Sequence, residues 1–341
     1  MTTTNDPRRA DAGIPCTPSR ALVCGISGQD GALLAKLLLD KGYEVIGTSR
    51  DAQVSSFSNL ARLNVAQTDV TLSSMAPNDF RSVLQTIKRF APSEVYNLSG
   101  QSSVGLSFDQ PVETLESIAT ATHNFLEVLR FLELPVKFYN AGSSECFGET
   151  PADGANELTP FRPRSPYGVA KSTAYWQVAN YREAYGIQAC TGILFNHESS
   201  LRPTRFVTRK IVSTACRIER GSNERLRLGN LSIRRDWGYA AEYVHAMWQM
   251  LNWDGPMSDF VIATGQTHSL RDFVARTFET LGLNWSDHTD IDETLFRPTD
   301  ITFSKGNPAL ARDVLGWRAT TSFDQVIARL VAAEQNLTQC G

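Results

Sequence analysis

Short apolar runs and helical segments alternate along this chain from residue 20 to residue 195, and this alternation constrains the fold more than any other feature. The apolar runs are Ala21–Cys24, Glu44–Thr48, Glu94–Leu98, Val136–Ala141 and Ala189–Phe195. Between these runs, apolar residues recur at helical spacing in Ala32–Asp40, Phe80–Phe90, Thr120–Leu132 and Pro166–Tyr185. Strands that alternate with helices form right-handed βαβ units. The sequence therefore predicts an α/β fold, a Rossmann-type doubly wound parallel sheet with helices on both faces.

The regular alternation ends near residue 200. Strand and helix patterns then mix at Leu226–Leu228, Ala241–Leu251, Phe260–Ala263, Ser269–Leu281 and Phe323–Glu334. We predict a flexible arm at 1–19, a dinucleotide-binding domain at 20–200 and a smaller mixed α/β substrate lobe at 201–341. Some segments after residue 200 can belong to the dinucleotide-binding domain. A ligand is expected between this lobe and the carboxyl ends of the parallel strands.

A glycine-rich turn joins the first predicted strand to the first predicted helix. Its sequence is Gly25-Ile-Ser-Gly28-Gln-Asp-Gly31. Glycines let the backbone approach a pyrophosphate, and the helix N-terminus offers free N–H groups, so the turn predicts a dinucleotide site. The second strand ends at Arg50 and not at a carboxylate, which favours the 2′-phosphate of NADP over NAD. The neighbouring Asp51 would repel that phosphate if it faced the ligand.

Tyr167 and Lys171 lie four residues apart in a predicted helix, so both side chains share one face. A lysine ammonium beside a tyrosine stabilises the phenolate and lowers its pKa. Such a tyrosine can take a proton from a sugar hydroxyl while hydride passes to a nicotinamide. The strand-end segment Ser143-Ser144-Glu145 precedes this pair. The order of glycine turn, strand-end polar segment and Tyr-Lys pair indicates hydride chemistry.

This order resembles that of the extended short-chain dehydrogenase/reductase superfamily, and the chain is more similar still to the GDP-mannose 4,6-dehydratase family. The similarity runs from about residue 20 to residue 332. The similar segments are Gly25–Gly31, Glu94–Leu98, Gln101-Ser102, Arg164–Lys171, Asn180–Tyr185, Gly192–Ser199, Phe206–Lys210, Leu228–Leu231, Arg235–Gly238 and Phe296–Pro298.

The resemblance implies a hydro-lyase that dehydrates GDP-mannose to GDP-4-keto-6-deoxymannose, in deoxysugar (GDP-rhamnose or GDP-fucose) biosynthesis. NADP takes hydride from C4, a carboxylate removes the C5 proton while water leaves from C6, and hydride returns to C6. By resemblance, Tyr167 is the base for the C4 hydroxyl, and Lys171 tunes Tyr167 and holds the nicotinamide ribose. Ser143 bonds the C4 oxygen, and Glu145 is the C5 base.

The resemblance also implies two sets of binding residues. Those for the cofactor are Gly25, Gly28, Gln29, Asp30, Gly31, Arg50, Asp69, Val70, Leu98, Gln101, Ser102, Tyr167, Lys171, His197 and Arg202. Those for the nucleotide-sugar are Ser144, Asn196, Lys210, Arg235 and Arg297. The second set is rich in the cationic and amide donors that a sugar diphosphate needs.

Some positions depart from the family pattern. Asp51 follows Arg50, Glu113 stands where the family has a tyrosine near the cofactor, Ser99-Gly100 precedes Gln101, and the loop Ser200–Arg205 differs. In the family, that loop and the one after Arg50 help to build a tetramer around the cofactor. A homodimer and a homotetramer therefore both stay open, as does tight retention of NADP. The segment Asn140–Ser143, which precedes Glu145, also differs from the family pattern, and this leaves the identity of the nucleotide-sugar open.

Three alternatives to GDP-mannose dehydration follow from the same residues. One is another nucleotide-sugar 4,6-dehydratase. A second is a 4-epimerase or a 4-keto-sugar reductase of the superfamily; Glu145 argues against the epimerase, and a reductase would consume NADPH. The third is a non-catalytic NADP-binding protein, but Tyr167 and Lys171 are both present.

Composition excludes other classes of function. The chain has 33 basic and 36 acidic residues, a net charge of −3, which gives no electrostatic reason to expect binding to nucleic acid or to a membrane surface. No apolar run reaches the roughly 18 residues of a membrane span. The six cysteines form no CxxC pair, so no metal site is expected. We predict a cytoplasmic protein with reduced thiols.

Overall fold

The computed structural model describes residues 19–339, so the predicted arm lies outside the described residues except for residue 19. Thirteen strands occur within this range: β1 (Arg20–Cys24), β2 (Glu44–Ser49), β3 (Thr71–Ser74), β4 (Glu94–Asn97), β5 (Lys137–Ala141), β6 (Ala189–Leu194), β7 (Asn196–Glu198), β8 (Leu226–Leu228), β9 (Arg234–Arg235), β10 (Trp237–Tyr239), β11 (Phe260–Ile262), β12 (His268–Ser269) and β13 (Thr289–Ile291).

Twelve α-helices occupy the same range. They are α1 (Gln29–Asp40), α2 (Ser58–Arg62), α3 (Phe80–Phe90), α4 (Val104–Asp109), α5 (Pro111–Leu115), α6 (Ala121–Leu132), α7 (Pro166–Tyr185), α8 (Val207–Glu219), α9 (Ala240–Asn252), α10 (Leu270–Thr280), α11 (Ala309–Leu315) and α12 (Phe323–Gln339). A π-helical turn, Glu116–Thr120, joins α5 to α6.

The core of the molecule is a seven-stranded parallel sheet with the order β11-β6-β5-β4-β1-β2-β3. Its central strands read as continuous apolar runs because both of their faces are covered. Residues Ala21–Cys24 of β1, for example, are fully buried. The chain runs from β1 to β3 in one direction and from β4 to β11 in the other. The resulting switch point between β1 and β4 predicts a ligand site at their carboxyl ends.

Helices cover both faces of this sheet. On one face α1 packs against α9, and an apolar cluster that includes Leu34 and Met247 lies beneath them. On the other face α6 packs against both α3 and α7, above a cluster that includes Phe125 and Phe138. The predicted doubly wound α/β fold is therefore confirmed.

A second apolar cluster lies among α8, α10 and α12, with Ile211, Phe273 and Val326 at its centre. Pairs of short strands flank it: β7 with β10, β9 with β12, and β8 with β13. The chain does not stay in this unit after residue 200, because β11 pairs with β6 and α9 packs on α1. The later segments thus return to the sheet, and the boundary near residue 200 stays a prediction.

Strand β3 is an element that the sequence patterns missed. It lies at the edge of the sheet and has the polar sequence Thr-Leu-Ser-Ser, with no fully buried residue. An edge strand needs no apolar run, so hydrophobic patterning does not detect it. No helix between residues 19 and 339 has the length and the apolar character that crossing a bilayer would require.

Candidate active site

A cleft of about 970 Å³ lies at the carboxyl ends of the sheet strands, between the sheet and the α8–α10–α12 unit. Its walls come from the glycine turn after β1, the end of β2, the loops after β4 and β5, and the N-terminus of α7. Strands β8 and β9, which hold Arg227 and Arg235, and the loop that holds Arg297 form the opposite side. This is the position that the strand order predicts for a ligand.

The glycine turn approaches itself so closely that a side chain would not fit. A Cβ added at Gly31 would lie 2.2 Å from the carbonyl oxygen of Gly25. Gly28 is the N-cap of α1, and no side chain caps this helix end. The N–H groups of the first turn therefore point into the cleft with the positive end of the helix dipole, which is the arrangement that binds a pyrophosphate.

Asp30 in the first turn of α1 is held by a hydrogen-bonded network. Its Oδ2 lies 2.9 Å from Nε2 of His197, and the amide of Gln29 donates to its Oδ1 at 2.9 Å. Nδ1 of His197 lies 2.7 Å from the carbonyl oxygen of Phe195. Both partners of the ring are acceptors, an arrangement that favours the doubly protonated imidazole. In that form the ring offsets the negative charge that Asp30 brings to this helix end.

The pKa values of this pair move apart. Burial alone would raise the pKa of Asp30, but the charge and hydrogen bond of His197 bring it below its ordinary value. Burial alone would lower the pKa of His197, but Asp30 and the Phe195 carbonyl raise it above its ordinary value. His197 also stacks on the ring of Tyr243 in α9 at 4.6 Å. The network thus ties the glycine turn to β7 and to the sheet.

Arg50 directly follows β2 and lines the cleft near the glycine turn. Its guanidinium lies 3.5 Å from the carboxylate of Glu113 in α5. Asp51 does not compete for it, because its Oδ1 accepts the backbone N–H groups of Gln53 and Val54. Asp51 is absent from the residues that line the cleft, and its carboxylate caps a turn next to Arg50.

The segment after β5 forms a tight turn, Ser144–Cys146, with Ser143 as its cap. The hydroxyl of Ser143 accepts the N–H of Glu145 at 3.3 Å. Helix α7 packs directly on this turn because its third residue is Gly168. A Cβ added at Gly168 would lie 2.8 Å from the carbonyl oxygen of Glu145. The close approach brings the first turn of α7, and hence Tyr167, next to Ser143 and Glu145.

Tyr167 and Lys171 both line the cleft. Lys171 donates its Nζ to the carbonyl oxygen of Ala141 at 2.7 Å and lies 5.8 Å from the Tyr167 ring centroid. Burial raises the pKa of Tyr167 above its ordinary value. A hydrogen bond with the hydroxyl of Ser143 acts in the opposite direction. Burial also lowers the pKa of Lys171, to about 8. The pKa of Tyr167 is thus raised overall, and its lowering by Lys171 stays a prediction.

Glu145 faces two arginines across the cleft. Burial raises its pKa, the positive charges of Arg235 and Arg297 act against that rise, and Asp300 acts with it. Asp300 lies 3.3 Å from the Arg235 guanidinium and 3.7 Å from that of Arg297. The site thus sets a carboxylate with a raised pKa beside a pair of guanidinium groups held by a shared carboxylate.

The family model described as GDP-mannose 4,6 dehydratase matches residues 22–330 of this sequence. The chain belongs to the GDP-mannose 4,6-dehydratase family. GDP-mannose 4,6 dehydratase 1 of Arabidopsis thaliana is 42% identical over 94% of this chain and 90% of its own length. GDP-mannose 4,6-dehydratase of Sinorhizobium fredii (strain HH103) is 42% identical over 91% of this chain and 95% of its own length.

The solved structure of dTDP-glucose 4,6-dehydratase from Bacillus anthracis, in complex with NAD, has the same fold. Its TM-score is 0.82 at 16% identity, with 94% of this chain and 98% of that chain covered. The resemblance that the motifs indicated, to this dehydratase family, is thus confirmed by the family model and the curated relatives, and the solved structure shows the same fold.

The cleft brings together nearly all residues that the family resemblance assigns. Those that line it are Gly25, Gly28, Gln29, Asp30, Gly31, Arg50, Leu98, Gln101, Ser102, Ser143, Ser144, Glu145, Tyr167, Lys171, Asn196, His197, Arg202, Lys210, Arg235 and Arg297. Two do not line it. Asp69 accepts the N–H of Ala66 with its carboxylate, and Val70 packs in the core beside α1.

Asp300 is a cleft residue that the sequence reasoning missed. It follows Arg297 by three residues in an irregular loop, where no periodic pattern places it. Its contact with Arg235, 65 residues away, appears only in three dimensions. An acidic residue just after an assigned arginine is the one local signal that was present.

Replacing Gly31 with alanine should weaken dinucleotide binding by about tenfold to a hundredfold, because the backbone must move away from the Gly25 carbonyl to admit a Cβ. Isothermal titration with NADP⁺ measures this change. Gly42→Ala, just after the far end of α1, is the control, since nothing lies within 4 Å of its added Cβ and the residue does not line the cleft. Equal affinities for the wild type and Gly31→Ala would contradict the assigned role of the turn.

Proposed function

We propose that this chain dehydrates GDP-mannose to GDP-4-keto-6-deoxymannose, with a nicotinamide dinucleotide that is recycled within each turnover. The observation that supports this most directly is the joint placement of Tyr167 and Glu145 in one cleft. The two side chains interact electrostatically, since the charge of Glu145 raises the pKa of Tyr167. Oxidation at C4 and elimination across C5 and C6 need a base at each of two neighbouring ring positions.

The residues at the glycine turn fit a dinucleotide. The close approach at Gly31 leaves room for a pyrophosphate but not for a side chain, and the uncapped start of α1 supplies N–H donors. Arg50 lies at the end of β2, where the adenosine ribose would sit. We infer NADP over NAD from this cation, because the Asp51 carboxylate is turned onto its own backbone. When bound, the nicotinamide accepts a hydride from the sugar and returns it.

Each catalytic side chain has a distinct task in this proposal. Tyr167 takes the proton of the C4 hydroxyl, and Ser143 holds the C4 oxygen. Lys171, fixed by the Ala141 carbonyl, keeps a positive charge near Tyr167 and the nicotinamide ribose. The C4 ketone acidifies C5, and Glu145 takes the C5 proton and passes it to the C6 hydroxyl, which leaves as water. The proton that Tyr167 took from the C4 hydroxyl balances the one that C5 regains when hydride is delivered to C6. The raised pKa of Glu145 suits it to this step, since a stronger base removes a carbon-bound proton more readily.

Basic and amide side chains on the opposite wall suit the sugar diphosphate. Arg235, Arg297 and Lys210 supply cationic donors, and Asn196 and Ser144 supply neutral ones. Lys210 donates to the carbonyl oxygen of Arg227 at 2.6 Å, so its ammonium is held at the rim of the cleft. Asp69 and Val70 stay proposed adenine neighbours that the cleft lining does not include.

We also infer a cytoplasmic homo-oligomer, a dimer or a tetramer. Val112 of α5 and Trp176 of α7 are apolar side chains that are 68% and 62% exposed, and these two helices pack against each other. Large apolar side chains exposed on two helices that pack together favour a protein contact there.

A nucleotide-sugar panel tests the substrate assignment. Purified protein with catalytic NADP⁺ should convert GDP-mannose to a 4-keto product, detected by mass spectrometry, without stoichiometric NADPH. UDP-, CDP- and dTDP-hexoses should react at least about tenfold more slowly, which is a difference of roughly 1.4 kcal/mol. A product from dTDP-glucose alone would reject the guanine assignment, and stoichiometric use of NADPH would point to the reductase alternative.

A further inference from the structure

We propose that Glu113 determines how strongly this chain prefers NADP over NAD, by holding Arg50 and opposing a 2′-phosphate. The inference rests on the proposed function, since it places a nicotinamide dinucleotide in the cleft. It concerns a residue that stands where the family pattern has a tyrosine, and a carboxylate at this place changes the local charge.

Polar side chains and the Arg50 guanidinium line this end of the cleft. Arg50, Ser49 and Ser55 come from β2 and the segment that follows it, and Glu113 faces them from α5. The hydroxyls of Ser49 and Ser55 are 2.9 Å apart. Two hydroxyls and a guanidinium form a donor set that suits a phosphate monoester. The carboxylate of Glu113 is the group in this set that repels one.

The pair between Arg50 and Glu113 is exposed, and that exposure decides its effect. The two side chains are 82% and 48% exposed, at a separation of 3.5 Å. Exposed ion pairs of this kind are weak, so Arg50 can leave Glu113 for a stronger anion. A 2′-phosphate must then displace Glu113 from Arg50 and remain close to its negative charge. A ribose 2′-hydroxyl meets neither obstacle and can itself donate to a carboxylate.

Asp51 does not play this part, although it is next to Arg50 in the sequence. Its carboxylate accepts the N–H groups of Gln53 and Val54 at 2.9 and 3.3 Å. The charge that opposes a 2′-phosphate therefore comes from a residue 63 positions away in the sequence. The net result is a site that accepts NADP with a reduced margin over NAD.

The test measures the ratio of the NADP⁺ and NAD⁺ dissociation constants by isothermal titration, on the full chain. Glu113→Gln should shift this ratio toward NADP⁺ by about three- to tenfold, mostly through tighter NADP⁺ binding. The shift should shrink at high salt, because it is electrostatic and exposed. Glu116→Gln, an exposed carboxylate further along the same helical segment and outside the cleft lining, should leave the ratio unchanged.

A second variant separates the two roles of Glu113. Arg50→Gln should weaken NADP⁺ far more than NAD⁺, and in that background Glu113→Gln should shift the ratio less than it does in the wild type. An unchanged ratio for Glu113→Gln, or a shift toward NAD⁺, would overturn the proposal while leaving the dehydration of GDP-mannose intact. Failure of the wild type to bind either dinucleotide would overturn both, and the nucleotide-sugar panel reports on dehydration separately.

Discussion

Replacing Glu145 with glutamine should reduce the rate of dehydration by roughly a hundredfold to ten-thousandfold while leaving oxidation at C4 in place. The amide keeps the size of the side chain but cannot take the C5 proton. A single-turnover experiment with bound NADP⁺ should therefore show the near-ultraviolet absorbance of reduced nicotinamide building up, because hydride leaves C4 and is not returned to C6. Mass spectrometry of the sugar should show little loss of water.

The control for this variant is Glu183→Gln, an exposed carboxylate on α7 that does not line the cleft. It should turn over at the wild-type rate. Full turnover by Glu145→Gln would remove this residue from the mechanism. A variant that shows neither dehydration nor reduced nicotinamide would place Glu145 at the oxidation step, which also contradicts the proposed role.

Replacing Tyr167 with phenylalanine should reduce both steps together, by about a hundredfold or more. The C4 hydroxyl then has no base, so hydride transfer does not begin and no reduced nicotinamide accumulates. Affinity for NADP⁺ should change by less than about threefold, because Lys171 keeps its own anchor on the Ala141 carbonyl. Stopped-flow absorbance measures the first step, and isothermal titration measures the affinity.

Tyr185→Phe is the matched control, since Tyr185 lies at the far end of the same helix and is 55% exposed. Its activity should equal that of the wild type. Accumulation of reduced nicotinamide in Tyr167→Phe would contradict the role of this phenol, because oxidation at C4 would then proceed without it.

Much of the fold was predictable because the central strands are buried on both faces. Helices α3 and α7 have the predicted bounds, Phe80–Phe90 and Pro166–Tyr185, because both have clear signals at their starts. Asp79 caps α3, and Ser165 and Pro166 start α7. Strand β3 was missed because an edge strand can be polar.

The site was predictable where the sequence holds local motifs. The glycine turn, the Ser143–Glu145 segment and the Tyr167–Lys171 pair each fall in one short stretch, and the strand order brings them to one cleft. The family resemblance added residues such as Arg235 and Arg297 that no periodicity would select. How these residues face one another could not be predicted, because contacts such as Asp30 with His197 join distant parts of the chain.

The pKa of Tyr167 shows the same limit. Spacing alone placed Lys171 on the same helical face and predicted that its charge lowers the tyrosine pKa. In the structure the ammonium donates to Ala141, and burial raises the pKa of the phenol. Helical spacing shows which side chains share a face, but the depth of burial depends on the packing of β5 and α7 together.

The most direct test of hydride return uses GDP-mannose that carries deuterium at C4 of the mannose ring. Incubation with the wild-type chain and catalytic NADP⁺ should give a 4-keto-6-deoxy product in which the deuterium is at C6, as read by NMR and mass spectrometry, with no accumulation of reduced cofactor. Deuterium that stays at C4, or that appears in released reduced cofactor, would contradict the proposed chemistry.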